Sequence, residues 1–185
     1  MKYEMTIAGL RRELPLCPIT EELCIASFIL FGDPEITVAA AAELLKRVPA
    51  EYDYLLTAEA KSIPLIHEMA RQSGAKTYFV ARKGMKVYLT DPLRVKVHSI
   101  TTQHEQELIL SGSDAAMLNG KRVLIVDDVI STGESLRALE ELARQAGAEV
   151  VGRMAVLAEG EAQSRDDIVY LEKLPIFNAK GEIVG

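Results

Sequence analysis

The run Val123-Leu124-Ile125-Val126-Asp127-Asp128-Val129-Ile130-Ser131-Thr132-Gly133-Glu134-Ser135 restricts the fold of this 185-residue chain more than any other stretch. Its first four residues are apolar without polar alternation, the pattern of a strand buried on both faces, as in a parallel sheet covered by helices. Leu136, Leu139, Leu142, Ala143 and Ala146 then recur at helical spacing, and Gly147 ends the pattern. The unit reads as strand, tight turn, helix. Two carboxylates, Asp127 and Asp128, stand at the strand's carboxyl end. Small or hydroxylated residues lead from them into a helix amino end, whose free N–H groups and dipole favour an anion. The stretch therefore predicts a phosphate cradle with acids beside it.

Acids next to a phosphate narrow the ligand. A nucleoside triphosphate in a P-loop needs Gly-x-x-x-x-Gly-Lys-Ser/Thr, and a dinucleotide fold needs Gly-x-Gly-x-x-Gly after a strand; the chain has neither. Carboxylates suit ribose hydroxyls and stabilise positive charge developing on a sugar ring. A sugar phosphate reacting at its anomeric carbon satisfies both halves of the run. The residues VLIVDDVISTGES resemble the ribose-phosphate-binding signature of type I phosphoribosyltransferases in order, spacing and strand-turn-helix context. The plainer alternative is a buried strand ending in two solvated acids, with no ligand. The resemblance implies an α/β fold: a parallel sheet flanked by helices, a small N-terminal hood and a flexible β lid loop.

Elsewhere the chain agrees with one α/β domain. Apolar residues make up 49%, enough for a substantial core. The sequence holds no apolar run long enough to span a bilayer, and Met1-Lys2-Tyr3-Glu4-Met5 lacks a signal-peptide profile, so a soluble cytoplasmic protein is expected. Cys17 and Cys24 form neither a metal-ligand spacing nor a disulfide framework, and His67, His98 and His104 are scattered, which argues against zinc. A net charge of −6 argues against a large nucleic-acid footprint. Residues 1–32 show little regular periodicity, although 14–19 and 23–31 suit short strands. Asp33 caps and Pro34 starts a helix over 35–48, stopped by Pro49. Residues 52–57 read as the first core strand, Ser62, Ile63 and Pro64 open a helix ended by Gly74, and 77–81 form the next strand. Strands follow at 149–158 and 168–171. The alternation implies a right-handedly wound parallel sheet with its ligands at the strands' carboxyl ends. Residues 1–185 read as a single domain with a hood over about 1–32, a core over about 33–185 and a lid over about 82–112.

A second constellation, Thr57-Ala58-Glu59-Ala60-Lys61-Ser62, lies at another strand-to-helix junction. It is similar to the Glu-Ala-Arg-Gly loop that receives pyrophosphate in adenine phosphoribosyltransferases, which assigns Glu59, Ala60 and Lys61 to pyrophosphate. The chain departs twice, with Lys61 for arginine and Ser62 for glycine; lysine keeps the charge and loses the bidentate fork. Arg82, Lys83 and Lys86 place three cations within five positions where the family's Arg-Lys pair contacts pyrophosphate, although charge runs of this kind are usually solvated turns. Residues 87–89, 95–100 and 107–110 look like short strands around polar turns, and such a long excursion is often an active-site lid. The resemblance implies a lid glutamate as proton partner of the base, Glu105 or Glu107, with Glu105 taken as catalytic.

Residues from about 14 to 172 also resemble xanthine phosphoribosyltransferases, in 23–28 and in Ser164-Arg165-Asp166-Asp167. Leu30 stands where that family reads the base with asparagine, and Glu159 where a lysine donates to the exocyclic oxygen. An acceptor in place of a donor suits an exocyclic amine, which favours adenine over a 6-oxopurine; a solvent-facing Glu159 is the alternative. Phe28, Leu30 and Glu159 make up the base-binding set, with Phe28 as a stacking partner. The implied reaction is displacement of pyrophosphate from phosphoribosyl pyrophosphate by a purine ring nitrogen through an oxocarbenium-like transition state. Ser131, Thr132, Gly133, Glu134 and Ser135 hold the 5′-phosphate, while Asp127 and Asp128 hold the ribose hydroxyls and stabilise the ring's charge. Magnesium bridges pyrophosphate and ribose oxygens without a direct protein ligand, and Lys61, Arg82, Lys83 and Lys86 neutralise the departing group. The implied partners are the two substrates and a second copy of the chain in a homodimer, with no nucleic acid and no membrane. A regulator that senses phosphoribosyl pyrophosphate on the same fold is the reading from another class; it would need a DNA-binding domain or a basic face, and the acidic sequence shows neither.

Overall fold

Val123, Leu124, Ile125 and Val126 are all fully buried in the computed structural model, which describes residues 1–97 and 106–184. In chain order the strands are β1 (Lys2–Ile7), β2 (Leu10–Pro18), β3 (Leu23–Ala26), β4 (Tyr54–Ala58), β5 (Phe79–Ala81), β6 (Leu93–Val97), β7 (Gln106–Leu110), β8 (Arg122–Ile130), β9 (Glu149–Glu159), β10 (Val169–Leu174) and β11 (Ile176–Asn178). The helices are α1 (Pro34–Leu45), α2 (Ile63–Ser73), α3 (Gly112–Leu118) and α4 (Glu134–Gln145), with one 3-10 turn at Gly160–Ser164. Strands β10-β9-β8-β4-β5 form a five-stranded sheet in which every pairing is parallel. The expected α/β fold with helices around a parallel sheet is what forms.

The 123–126 run sits mid-sheet, which explains its unbroken apolarity. Leu124 and Val126 enter the core shared with α1 and α2, whereas Val123 and Ile125 enter the core shared with α3 and α4. Successive side chains of a strand point to opposite faces, so a strand covered on both needs an apolar residue at every position. Local signals set the helix ends. The Asp33 carboxylate accepts from the Ile36 N–H at 3.1 Å at the start of α1, and Gly74 closes α2 in the left-handed conformation, φ 76°.

A separate antiparallel sheet, β1-β2-β3-β11, seals the α1–α2 core through Ile7, Leu14, Cys24 and Phe177. It takes three strands from the chain's beginning and one from its end. The β1–β2 hairpin turns through Ala8 and Gly9, both at positive φ. Between β5 and α3 lies the antiparallel pair β6–β7. Two expectations differ from the fold. Residues 87–89 form a turn rather than a strand, closed by the Leu89 N–H on the Lys86 carbonyl at 3.0 Å with Val87 fully exposed. No element was signalled between Leu110 and Asn119, yet α3 forms there, capped by the Ser111 hydroxyl accepting from the Asp114 N–H at 3.1 Å.

Candidate functional site

The carboxyl ends of β4 and β8 and the segment after β5 converge on one recess of about 140 Å³, bordered among others by Glu59, Lys61, Ser62, Lys83, Asp127, Asp128 and Ser135. The turn from β8 into α4 meets it through Ser135. Gly133 is the N-cap of α4 at φ 78°, and with no side chain it leaves the first-turn N–H groups open to a ligand. A Cβ at Gly133 would lie 3.0 Å from Arg165 Nη1. The Arg165 guanidinium is aimed there by Asp167, which accepts from Nε at 2.8 Å and from Nη2 at 2.7 Å. Arg153 stands behind Asp167 at 3.7 Å and also pairs with Glu140 of α4.

The acids are joined to the loop after β4. Ser62 Oγ lies 2.5 Å from Asp127 Oδ1 and 3.0 Å from Asp128 Oδ1, and it accepts from the Asp128 N–H at 2.9 Å. That N–H also reaches Asp127 Oδ1 at 2.9 Å. Lys61 Nζ stands 2.8 Å from the buried Asp128 Oδ2, an ion pair at the floor of the loop after β4. Burial first, and the neighbouring Asp128 charge second, push the Asp127 carboxyl up to about 7, against the pull of the Ser62 hydroxyl. Glu159, at the end of β9, is also raised by burial, while the Ser131 hydroxyl and the Lys61 ammonium pull it back.

The rim is cross-braced. Glu59 pairs with Arg82 at 3.1 Å and accepts from the Lys83 N–H at 3.0 Å. Arg82 and Ile109 exchange two backbone hydrogen bonds, at 2.7 and 2.8 Å, which tie β7 to the end of β5. The Glu59–Ala60 peptide is cis.

The structure thus gathers Glu59, Ala60, Lys61, Lys83, Asp127, Asp128 and Ser135 around one recess, with Glu159 next to Ser131. Thr132 and Glu134 belong to the same turn; Glu134 pairs with Arg137 along α4. Arg82 borders the recess through Glu59, and the Lys86 carbonyl closes the 87–89 turn. Phe28 and Leu30 are not brought to this recess: both are packed in the α1–α2 core, where the apolar interior holds them. Leu30 borders a different, apolar hollow with Phe31, Pro34, Val38 and Pro64. Glu105 lies outside the described residues, and Glu107 on β7 is 3.9 Å from Arg94. Two contributors were not assigned from sequence. In sequence Ser62 reads as a helix opener in place of the family's glycine, and Arg165 as part of the stretch similar to xanthine phosphoribosyltransferases, neither with a site role. Among the described residues no group of three or more His, Cys, Asp or Glu could hold a metal ion. A divalent cation here would rest on ligand oxygens beside Asp127 and Asp128.

Two adjacent acids, Asp128 buried and Asp127 half-buried, beside a helix amino end at the carboxyl ends of a parallel sheet place this chain among α/β proteins whose ligands bind at the strand ends. Residues 35–182 match the family described as the phosphoribosyl transferase domain. The chain belongs to that family and is a glycosyl-transferring enzyme of the phosphoribosyltransferase class. A hypoxanthine/guanine phosphoribosyltransferase of Methanococcus maripaludis is 28% identical over 162 residues, covering 84% of this chain and 83% of that one. Its counterpart in Methanococcus voltae is 34% identical over 125 residues, covering 68% and 63%. The adenine phosphoribosyltransferase of Thermoanaerobacter pseudethanolicus superposes with a TM-score of 0.72 at 20% identity, covering 86% of this chain and 95% of that one. That of Rhodothermus marinus gives 0.69 at 23%, covering 87% and 94%. The likeness to these two is one of fold.

Proposed function

We propose that the chain transfers the phosphoribosyl group of phosphoribosyl pyrophosphate to a purine, with adenine as the base, giving AMP and pyrophosphate. The observation that carries this reading is the acid pair beside the α4 amino end, with Asp128 buried and its Oδ2 met by the Lys61 ammonium at 2.8 Å in the recess that Ser135 also borders. A carboxylate oxygen accepts more than one hydrogen bond, so a ribose hydroxyl can donate there as well. In the proposed complex the 131–135 turn and the α4 amino end hold the 5′-phosphate, Asp127 and Asp128 hold the ribose hydroxyls, and Lys61 and Lys83 face the pyrophosphate, with Arg82 behind them. As the bond to pyrophosphate breaks, positive charge grows on the ring next to the carboxylates, which stabilise it. Magnesium, bound with the substrate, would neutralise pyrophosphate charge.

Glu159 supports adenine. An acceptor at the end of β9 matches an exocyclic amine. A 6-oxopurine is the second reading, favoured by one observation: the relatives at 28–34% identity are named hypoxanthine/guanine enzymes. The proposal includes a homodimer, supported by exposed Phe31 and Val38 at the apolar hollow and by the exposed Ile29 that precedes it in sequence. The test is pyrophosphate release with magnesium and phosphoribosyl pyrophosphate, supplying adenine, hypoxanthine, guanine and xanthine in turn. Release with adenine is expected. Release with a 6-oxopurine alone would overturn the base assignment, and release with none would overturn catalysis of purine transfer.

A further inference from the structure

Ser62 is 1% exposed, sits at the N-cap of α2 and makes no capping bond with its side chain. Its hydroxyl is turned to the acids instead, 2.5 Å from Asp127 Oδ1, 3.0 Å from Asp128 Oδ1 and 2.9 Å from the Asp128 N–H that it accepts. A hydroxyl has one proton to give and lone pairs to receive with. Here it gives to one carboxylate while taking the N–H of the other, so both acids are fixed by a side chain from a different loop. A helix start that gives up its own side-chain cap for such bonds has another use for the hydroxyl.

We propose that Ser62 is a positioning residue: its hydroxyl holds Asp127 and Asp128 in the orientation that receives the ribose hydroxyls, and it couples the loop that faces pyrophosphate to the ribose subsite. The inference rests on the reading under Proposed function and extends it to a recess residue whose hydroxyl faces the acids. A bond from a neutral donor to a buried carboxylate rigidifies it, because the competing partner in a closed recess would be solvent. Without the hydroxyl, the Asp127 carboxylate can turn towards solvent and the two acids face each other with only the backbone N–H between them. Lys61, the next residue, carries the ammonium beside Asp128, so the loop reaches both acids, one through a hydroxyl and one through charge.

The test compares wild type, Ser62→Ala, Ser62→Gly and Ser62→Thr. Three readouts are taken: melting temperature, calorimetric affinity for ribose 5-phosphate and for pyrophosphate separately, and KM against kcat for phosphoribosyl pyrophosphate. Losing a hydrogen bond to a charged group is expected to weaken ribose 5-phosphate and to raise KM by about 10- to 100-fold in Ala and Gly alike. Pyrophosphate affinity should stay within about twofold, and Thr, which keeps the hydroxyl, should restore wild-type values within about threefold. Unchanged ribose 5-phosphate affinity in Ala and Gly would overturn the inference. So would a lowered melting temperature with wild-type affinity in the folded protein, or failure of Ala and Gly to fold where Thr folds, since either makes the hydroxyl structural. Wild-type protein that binds neither ribose 5-phosphate nor phosphoribosyl pyrophosphate would overturn the functional reading itself, a result that the wild-type arm alone reveals.

Discussion

Asp127→Asn should make the protein more stable at neutral and alkaline pH and indifferent to the change in acid. The cause is the raised carboxyl. Asp127 moves from an ordinary 3.8 to about 7, because burial and the Asp128 charge oppose its ionisation. A group that binds its proton more tightly when folded favours the folded state only while protonated. That contribution is complete below about 4 and is lost as pH rises through about 7. At about 1.4 kcal/mol for each pH unit, the penalty in wild type has a ceiling of about 4 kcal/mol near pH 8. One flank of Asp127 meets solvent, and the recess can relax, so about 1–3 kcal/mol is the expected release. The amide keeps an oxygen where Asp127 Oδ1 now accepts from Ser62 and from the Asp128 N–H. For a chain of this length that corresponds to a gain in Tm of about 3–10 °C. Thermal unfolding of both proteins by circular dichroism, at pH values from about 4 to about 8, gives the wild-type-to-variant difference, in which titrating groups remote from the acid pair cancel. The gain should grow with pH and vanish towards about pH 4. A gain independent of pH, or a loss at about pH 8, would refute the reasoning that Asp127 ionises against the fold.

Replacing Asp127 and Asp128 together by Asn should leave the circular dichroism of the fold and abolish pyrophosphate release; retained turnover would remove the pair from the ribose subsite. Gly133→Ala, at φ 78° and with its new Cβ 3.0 Å from Arg165 Nη1, should lose about 1–2 kcal/mol in denaturant titration and weaken ribose 5-phosphate binding. Arg165→Ala should raise KM for phosphoribosyl pyrophosphate about tenfold with kcat within about twofold, because Asp167 aims the guanidinium at the cradle; an unchanged KM would show that Arg165 serves only its ion pairs. Glu159→Lys should shift the ratio of kcat/KM from adenine towards hypoxanthine by about tenfold or more, and an unmoved ratio would take Glu159 out of base reading.

The parallel sheet was legible because double-sided burial writes itself into consecutive residues: 123–126 can be read without knowing what covers them. Asp33 and Gly74 were legible for a local reason, since a cap acts within one helical turn. The antiparallel sheet was harder. Its strands carry Lys2, Glu4, Arg11 and Glu13 on the outer face, where they pair across β1 and β2, so the inward residues Met5 and Ile7 stand out little. β11 has three residues and gains its place by pairing with β3 at the other end of the chain, which no local pattern announces. In the site the same division holds. Acids and cradle are adjacent in sequence, hence readable as one run; Ser62 meets Asp127 across 65 positions, and only the fold reveals the bond.

The two substitutions in the loop after β4 are better understood together than singly. Lys61, half exposed on a flexible stem, places its ammonium 2.8 Å from the buried Asp128 carboxylate and meets it at one point. An arginine fork at the same place would grip the carboxylate bidentately and lose more on letting go. In the proposed reaction Lys61 leaves Asp128 for pyrophosphate while a ribose hydroxyl takes over the carboxylate, so a single-point contact lowers what the exchange costs. That single point leaves the acids in need of a second tether, which the Ser62 hydroxyl provides from the adjacent position. Lysine for release and serine for orientation therefore divide between two side chains a task that lysine alone would perform at the expense of order.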